Sequence, residues 1–352
     1  MKPAAPRFAA PDDDATIKIV PKPDPPTVGH ASRGLVLAFG GALVVGVGAG
    51  VAGWLFWPVP PSVVVTPKPL TSVPIANLPV VPRLPEFMIE SAHEAQIRDH
   101  SPTRLTLFRL AANPNVLVLD FASLLEQGQM FNRLGAFAEK AGAPHDRLLT
   151  DAEMEQTIRA GGDTVETFYY GHDYSAATIA RFFKIADRDS VALNQQEQVL
   201  RRLMLQEGWL TDGKLGGLIS VPRVGADTHV TAEARATILH HELSHGEYFS
   251  NPAYVAYTHK FWTASLTAAE REAMRKYLRS EAYDTGLDDL IENEAQAYLV
   301  FTFNPAFFTP ARVGMTEARR SDLRAIFLRD VPAAWLRDSS PPRAGIENAT
   351  AR

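Results

Sequence analysis

Apolar positions along this chain follow three regimes. Residues 1–33 are rich in Pro and Asp with little apolar patterning, a composition that predicts a disordered tail. Gly34 to Trp57 is an apolar run without a charge, long enough to cross a bilayer with some tilt, and Trp54 and Trp57 close it where a membrane interface is expected. The run is too long for the core of a cleavable signal, and a long polar segment precedes it. Residues 58–85 carry Pro58, Pro60, Pro61, Pro67, Pro69, Pro74, Pro79, Pro82 and Pro85, which predicts a semi-extended stalk.

From residue 86 to about residue 338 the pattern is that of a globular domain, long enough for one substantial core or two lobes. Asn115 to Asp120 reads as a buried strand, and Gly216 to Val221 as a second one ending at Pro222. Helical periods cover roughly 121–140, 151–160, 178–186, 195–206, 231–249 and 287–301. The expected fold is therefore mainly α with a small β-sheet (α+β), preceded by one transmembrane helix. Residues 339–352 are expected to form a second disordered tail, and no internal repeat is present.

Charge and composition refine the placement. Arg33, Lys22 and Lys18 lie close to the N-terminal side of the apolar run and only Lys68 comparably close to the other. That bias predicts a cytoplasmic N-terminus and a C-terminal domain in the periplasm or outside the cell. Ala38, Ala42, Gly46 and Gly50 form a small-residue stripe that would allow weak homodimer formation through the membrane helix, although glycine is common in such helices anyway. The absence of cysteine excludes a disulfide framework and thiolate-bound zinc. A net charge of -5 argues against a nucleic-acid partner.

The chemistry concentrates in two helices. His241-Glu-Leu-Ser-His245 is an H-E-x-x-H spacing, which on a helix sets two imidazoles one turn apart on one face with a carboxylate beside them. Two neutral histidines so placed can share one tetrahedral zinc ion, leaving positions for a third ligand and a water. The surrounding run favours a helix: Thr231 suits an N-cap, the early turns are rich in Ala, and Asn251-Pro252 lies just beyond the end. Ala234, Ile238, His241 and His245 share one stripe, whereas His240 points elsewhere, near Ser244 and Glu247. In the second helix, Leu287, Leu290, Ile291, Ala297, Tyr298 and Phe301 form an apolar stripe with Glu294 in its middle. A carboxylate among core residues needs a cation, either a metal or an arginine such as Arg235 or Arg324. Asp288, Asp289, Glu292 and Gln296 are expected on the opposite, solvated side.

With these residues the chain resembles the gluzincin class of zinc metallopeptidases, in which H-E-x-x-H is completed by a glutamate from a following helix. The resemblance covers about residues 216–303 and rests on His241, Glu242, His245 and Glu294 in Asn293-Glu-Ala-Gln-Ala-Tyr298. It implies His241, His245 and Glu294 as zinc ligands and Glu242 as the base that takes a proton from a water molecule and delivers it to the leaving amine. It also implies an edge strand above the zinc, which residues 216–221 could supply unless they are an ordinary core strand. The interval between His245 and Glu294 is longer than in the best-known members and leaves room for an extra helical hairpin. Tyr298 stands where some members carry an aspartate that orients a ligand histidine, so that support must come from elsewhere.

Tyr298, His259 and His172 are candidates for steadying a developing oxyanion, as are Tyr254, Tyr257 and His229. Phe168-Tyr-Tyr-Gly-His-Asp-Tyr174 suits a loop lining a pocket or, equally, a buried turn. The expected function is hydrolysis of a protein or peptide substrate outside the cytoplasm by a membrane-anchored zinc enzyme, the peptide part of a cell wall being one such target. A non-catalytic anchored binding or scaffold protein is the alternative, in which Glu242 has no role. The donor set would also accept nickel, cobalt or iron.

Overall fold

The computed structural model describes residues 87–211 and 213–338. The tail, apolar run, stalk and C-terminal tail expected for residues 1–33, 34–57, 58–85 and 339–352 lie outside the described residues. Among the described residues no helix is long and apolar enough to cross a membrane.

The centre of the fold is a five-stranded mixed sheet of order β1-β2-β3-β5-β4. Its strands are β1 (Ile89–Ala92), β2 (Thr106–Leu110), β3 (Val116–Phe121), β4 (His172–Ser175) and β5 (Gly217–Pro222). β3 and β5 run parallel, with Val118 beside Ile219, while β4 is antiparallel to β5 and forms the edge on that side. β5 is thus an inner strand. The edge position anticipated for residues 216–221 belongs to β4, which is too short to show a clear alternation in sequence.

Both faces of the sheet are covered, which is why β3 and β5 read as nearly continuous apolar runs. Val116, Val118, Ile219 and Val221 point into one core, whereas Leu117, Leu119, Phe121 and Leu218 point into the other. The second core is closed by α2 (Leu124–Glu139), α4 (Ala176–Arg188) and α5 (Gln195–Gln206), through residues such as Phe131, Phe182 and Leu200. The first core is built around α6 (Ala232–Ser250), which lies on β3, β4 and β5 and is buried almost all round. The helix starts where the Thr231 hydroxyl accepts from the Ala234 amide. It approaches the sheet closely because Gly217 and Gly246 meet: a Cβ on Gly217 would lie 2.7 Å from the Gly246 backbone.

A buried ion pair fixes α6 along its axis. Arg235 donates to both carboxylate oxygens of Asp120 at 2.8 and 2.9 Å and to the carbonyls of Ile97, Arg98 and Pro222. This satisfies the guanidinium within a site from which both side chains are fully shielded. Arg235 is therefore committed away from Glu294. So is Arg324, which donates to the Val300 carbonyl.

The long interval after His245 holds α7 (Pro252–Ser265) and α8 (Ala268–Ser280), and then comes α9 (Asp288–Gln296). α9 does not end as an α-helix. Residues Ala297–Phe301 continue it with one π-helical turn, in which the Thr302 hydroxyl donates to the Ala297 carbonyl at 3.0 Å. Asp288 and Asp289 are exposed, as expected, whereas Glu292 and Gln296 are buried and pack against α6 and α7. Gln296 accepts from the Tyr254 hydroxyl and donates to Ser244, and Glu292 meets His259. The remaining helices are α1 (Glu94–Asp99), α3 (Asp151–Ala160), α10 (Glu317–Asp330) and α11 (Ala334–Asp338).

Candidate metal centre

α6 and α9 bring His241, His245 and Glu294 together beneath the sheet. The Nε2 atoms of the two histidines are 3.0 Å apart, and the Glu294 oxygens stand 3.9 Å from His241 Nε2 and 3.8 Å from His245 Nε2. Ligands at about 2.1 Å in a tetrahedral shell are separated by roughly 3.4 Å, so the three side chains fit a single zinc-sized ion. None of the three, nor Glu242, is more than 1 % exposed. Neither oxygen of Glu294 is within ordinary hydrogen-bonding geometry of a donor, the Tyr283 hydroxyl being the neighbouring one. A buried carboxylate without a donor is costly, and a cation removes that cost.

The tautomer of His241 follows from its neighbours. The Thr302 hydroxyl spends its proton on the Ala297 carbonyl, so it can only accept from His241 Nδ1, 2.8 Å away. Nδ1 therefore carries the ring hydrogen, and Nε2 presents a lone pair to Glu294 and His245. Burial, with the neighbouring His245 and His240, holds the His241 pKa well below the usual histidine range and keeps the ring neutral. The support for the His241 ring that Tyr298 does not supply thus comes from Thr302. The π-helical turn delivers it, which no α-helical spacing counted from Glu294 would reveal.

Glu242 lies beside this group with its Oε2 unpartnered. Burial first, then the charges of Asp173 and Glu294, push its pKa well above the carboxylate range. Asp173 comes from β4. Its carboxylate is 3.8 Å from His245 Nδ1, and one of its oxygens lies within 4.8 Å of one of Glu242, with which it shares a hydrogen bond. A fourth carboxyl, Glu139 at the end of α2, closes a further group with Asp173 and Glu294. Glu139, Asp173 and Glu294 are also raised, in each case chiefly by burial.

The other anticipated residues fall elsewhere. His172 precedes Asp173 on β4, so strand alternation turns it to the opposite face of the sheet. There its Nδ1 faces Ser220 Oγ at 2.9 Å, its ring packs on Phe131, and burial lowers its pKa to about 3. His259 has a side chain 65 % exposed and pairs with Glu292 at 2.9 Å. Tyr254 donates to Gln296, Tyr257 donates to the Phe327 carbonyl, and His229 is exposed. Tyr298 sets its ring edge-on to His241 and packs between Tyr277 and Phe308. His240 pairs with Glu94 at 2.7 Å rather than with Ser244 or Glu247. The run 168–174 is buried throughout. Gly171 passes so close to Glu242 that a Cβ there would lie 2.1 Å from Oε1. The cleft of about 400 Å³ between α2, α3 and α5 touches none of the clustered residues.

Comparison of the chain with protein-family models, with curated proteins and with solved structures finds no match.

Proposed function

We propose that this protein is a zinc-dependent metallopeptidase, anchored by its apolar N-terminal run and acting on a protein or peptide substrate outside the cytoplasm. The observation that carries this reading is the convergence of the His241 and His245 Nε2 atoms with the buried Glu294 carboxylate, next to Glu242, whose Oε2 is unpartnered. A purely structural site has no use for a base beside its histidines. A zinc ion held by these three residues would acidify a water molecule and polarise a scissile carbonyl. Glu242, beside the two histidines with its Oε2 unpartnered, is placed to take the proton from that water and to pass it to the leaving amine. Thr302 keeps His241 in the tautomer that can bind.

The burial of all four residues supports a second reading, a scaffold that keeps the ion for stability. For the enzyme, substrate entry requires the segment from Phe168 to Ser175 to move, because Gly171 and Asp173 lie over Glu242. Replacing Glu242 by Gln separates the two. The enzyme reading expects metal to remain bound and peptide hydrolysis to vanish. Full hydrolysis by Glu242→Gln on a natural substrate would rule out this mechanism.

A further inference from the structure

The side chains beyond the three ligands do not behave like the lining of a one-ion site. Glu139, Asp173 and Glu294 come from three separate elements, α2, β4 and α9, and each offers an oxygen within 4.8 Å of the other two. Their residues are 7 %, 9 % and 0 % exposed. The chain invests in holding Glu139 there: Asp284 N donates to the Glu139 carbonyl at 2.8 Å, and Ala141 N donates to the Ala282 carbonyl at 2.9 Å. These bonds tie the end of α2 to the loop before α9 and bring Tyr283 beside the group.

Three phenols supply an independent sign. The hydroxyls of Tyr169 and Tyr174 are buried and have no hydrogen-bond partner, and the buried Tyr283 hydroxyl is directed at Glu294. All three lie in the field of Glu139 and Asp173, and Tyr169 and Tyr283 also in that of Glu294. Buried hydroxyls in native proteins nearly always find partners, so two unpartnered ones in the field of one carboxyl cluster, with a third directed at it, point to something between them. Lys140 is the cation that acts on Glu139. One lysine and one divalent ion leave four buried carboxyls short of positive charge.

We propose that Glu139, Asp173 and Glu294 form a second cation site, contiguous with the His241, His245 and Glu294 site and sharing Glu294 with it. This inference rests on the zinc reading of the first site. A carboxylate has about four lone-pair positions, enough to serve two ions. The second site offers oxygen donors alone, so it selects a hard divalent cation of the magnesium, calcium or manganese type, while the two imidazoles keep zinc in the first. Asp173 then links the second ion to the neighbourhood of His245 and Glu242. Tyr169, Tyr174 and Tyr283 donate to the carboxylates or to water on the second ion.

The test uses the full chain in detergent, stripped by a chelator, reloaded with zinc, and titrated with manganese while the free ion is followed by electron paramagnetic resonance. Wild type is expected to bind one equivalent of manganese on top of one of zinc. Glu139→Gln is expected to keep its zinc and to bind manganese at least about tenfold more weakly. Zinc-loaded wild type that takes up no manganese overturns the second site and leaves the proposed function standing, and this result does not depend on any variant folding. Equal manganese affinity in Glu139→Gln also overturns it. A chain that binds no zinc removes the proposed function, and with it the shared ligand.

Discussion

Replacing Thr302 by Val keeps the side-chain shape and removes the hydroxyl that fixes the His241 tautomer. In the native fold that hydroxyl accepts from His241 Nδ1 at 2.8 Å and donates to the Ala297 carbonyl at 3.0 Å, with Thr302 fully buried. The variant leaves a buried ring N–H without an acceptor, a loss of about 1–3 kcal/mol. Moving the ring hydrogen to Nε2 relieves that loss but removes the lone pair a metal needs. Either way zinc binding weakens. Groups that orient a ligand histidine typically account for about ten- to hundredfold in affinity, or about 1.4–2.7 kcal/mol. Competition against a chromogenic chelator measures this directly, with thermal unfolding of the metal-free protein run beside it. Thr302→Ser is expected to restore most of the affinity. Zinc affinity in Thr302→Val within about twofold of wild type would refute the tautomer argument.

Other expectations follow from the same geometry. Gly171→Ala drives a Cβ to 2.1 Å from Glu242 Oε1, so it should abolish peptide hydrolysis while zinc stays bound; unaltered kcat/KM would show that residue 171 does not press on the base. Asp120→Asn leaves the buried Arg235 charge uncompensated and should cost about 3–5 kcal/mol in denaturant unfolding, against less than about 1 kcal/mol for an exposed pair such as Arg147 with Glu153. In metal-free protein, Glu139, Asp173, Glu242 and Glu294 have raised pKa values, so the stability tied to their neutral forms is lost as pH rises through those values. His241 and His172, which are lowered, act in the opposite direction only below their ordinary 6.5. Above the ordinary histidine value only the carboxyls act, so the melting temperature of the metal-free chain should fall as pH rises, and zinc should flatten that fall; a rising profile would contradict the cause assigned to the carboxyl shifts.

The parts of the site that could be read in the sequence are those on regular helices. His241 and His245 share a face because the α-helical period puts them there, and Glu294 stands out because it interrupts an apolar stripe. α3 (Asp151–Ala160) and α5 (Gln195–Gln206) cover the ranges expected from helical periodicity. Asp173, Glu139 and Thr302 were illegible for separate reasons. Asp173 lies on a four-residue strand, too short for alternation to say which of His172 and Asp173 faces α6. Glu139 is the last residue of α2, and only the bonds to residues 282 and 284 direct it inward. Thr302 follows a π-helical turn, which shifts the register by one residue and carries no sequence signature. The solvated side assigned to Glu292 and Gln296 failed because polar residues on a helix pack well when a second helix supplies partners, as Tyr254 and His259 on α7 do here.

The most direct measurement is elemental analysis of the purified full chain beside its His241→Ala and Glu294→Gln variants. One equivalent of zinc in wild type, falling sharply in both variants, is the expected result. No zinc in protein prepared without chelators, or zinc that persists in both variants, would contradict the metal centre on which the proposed hydrolysis depends.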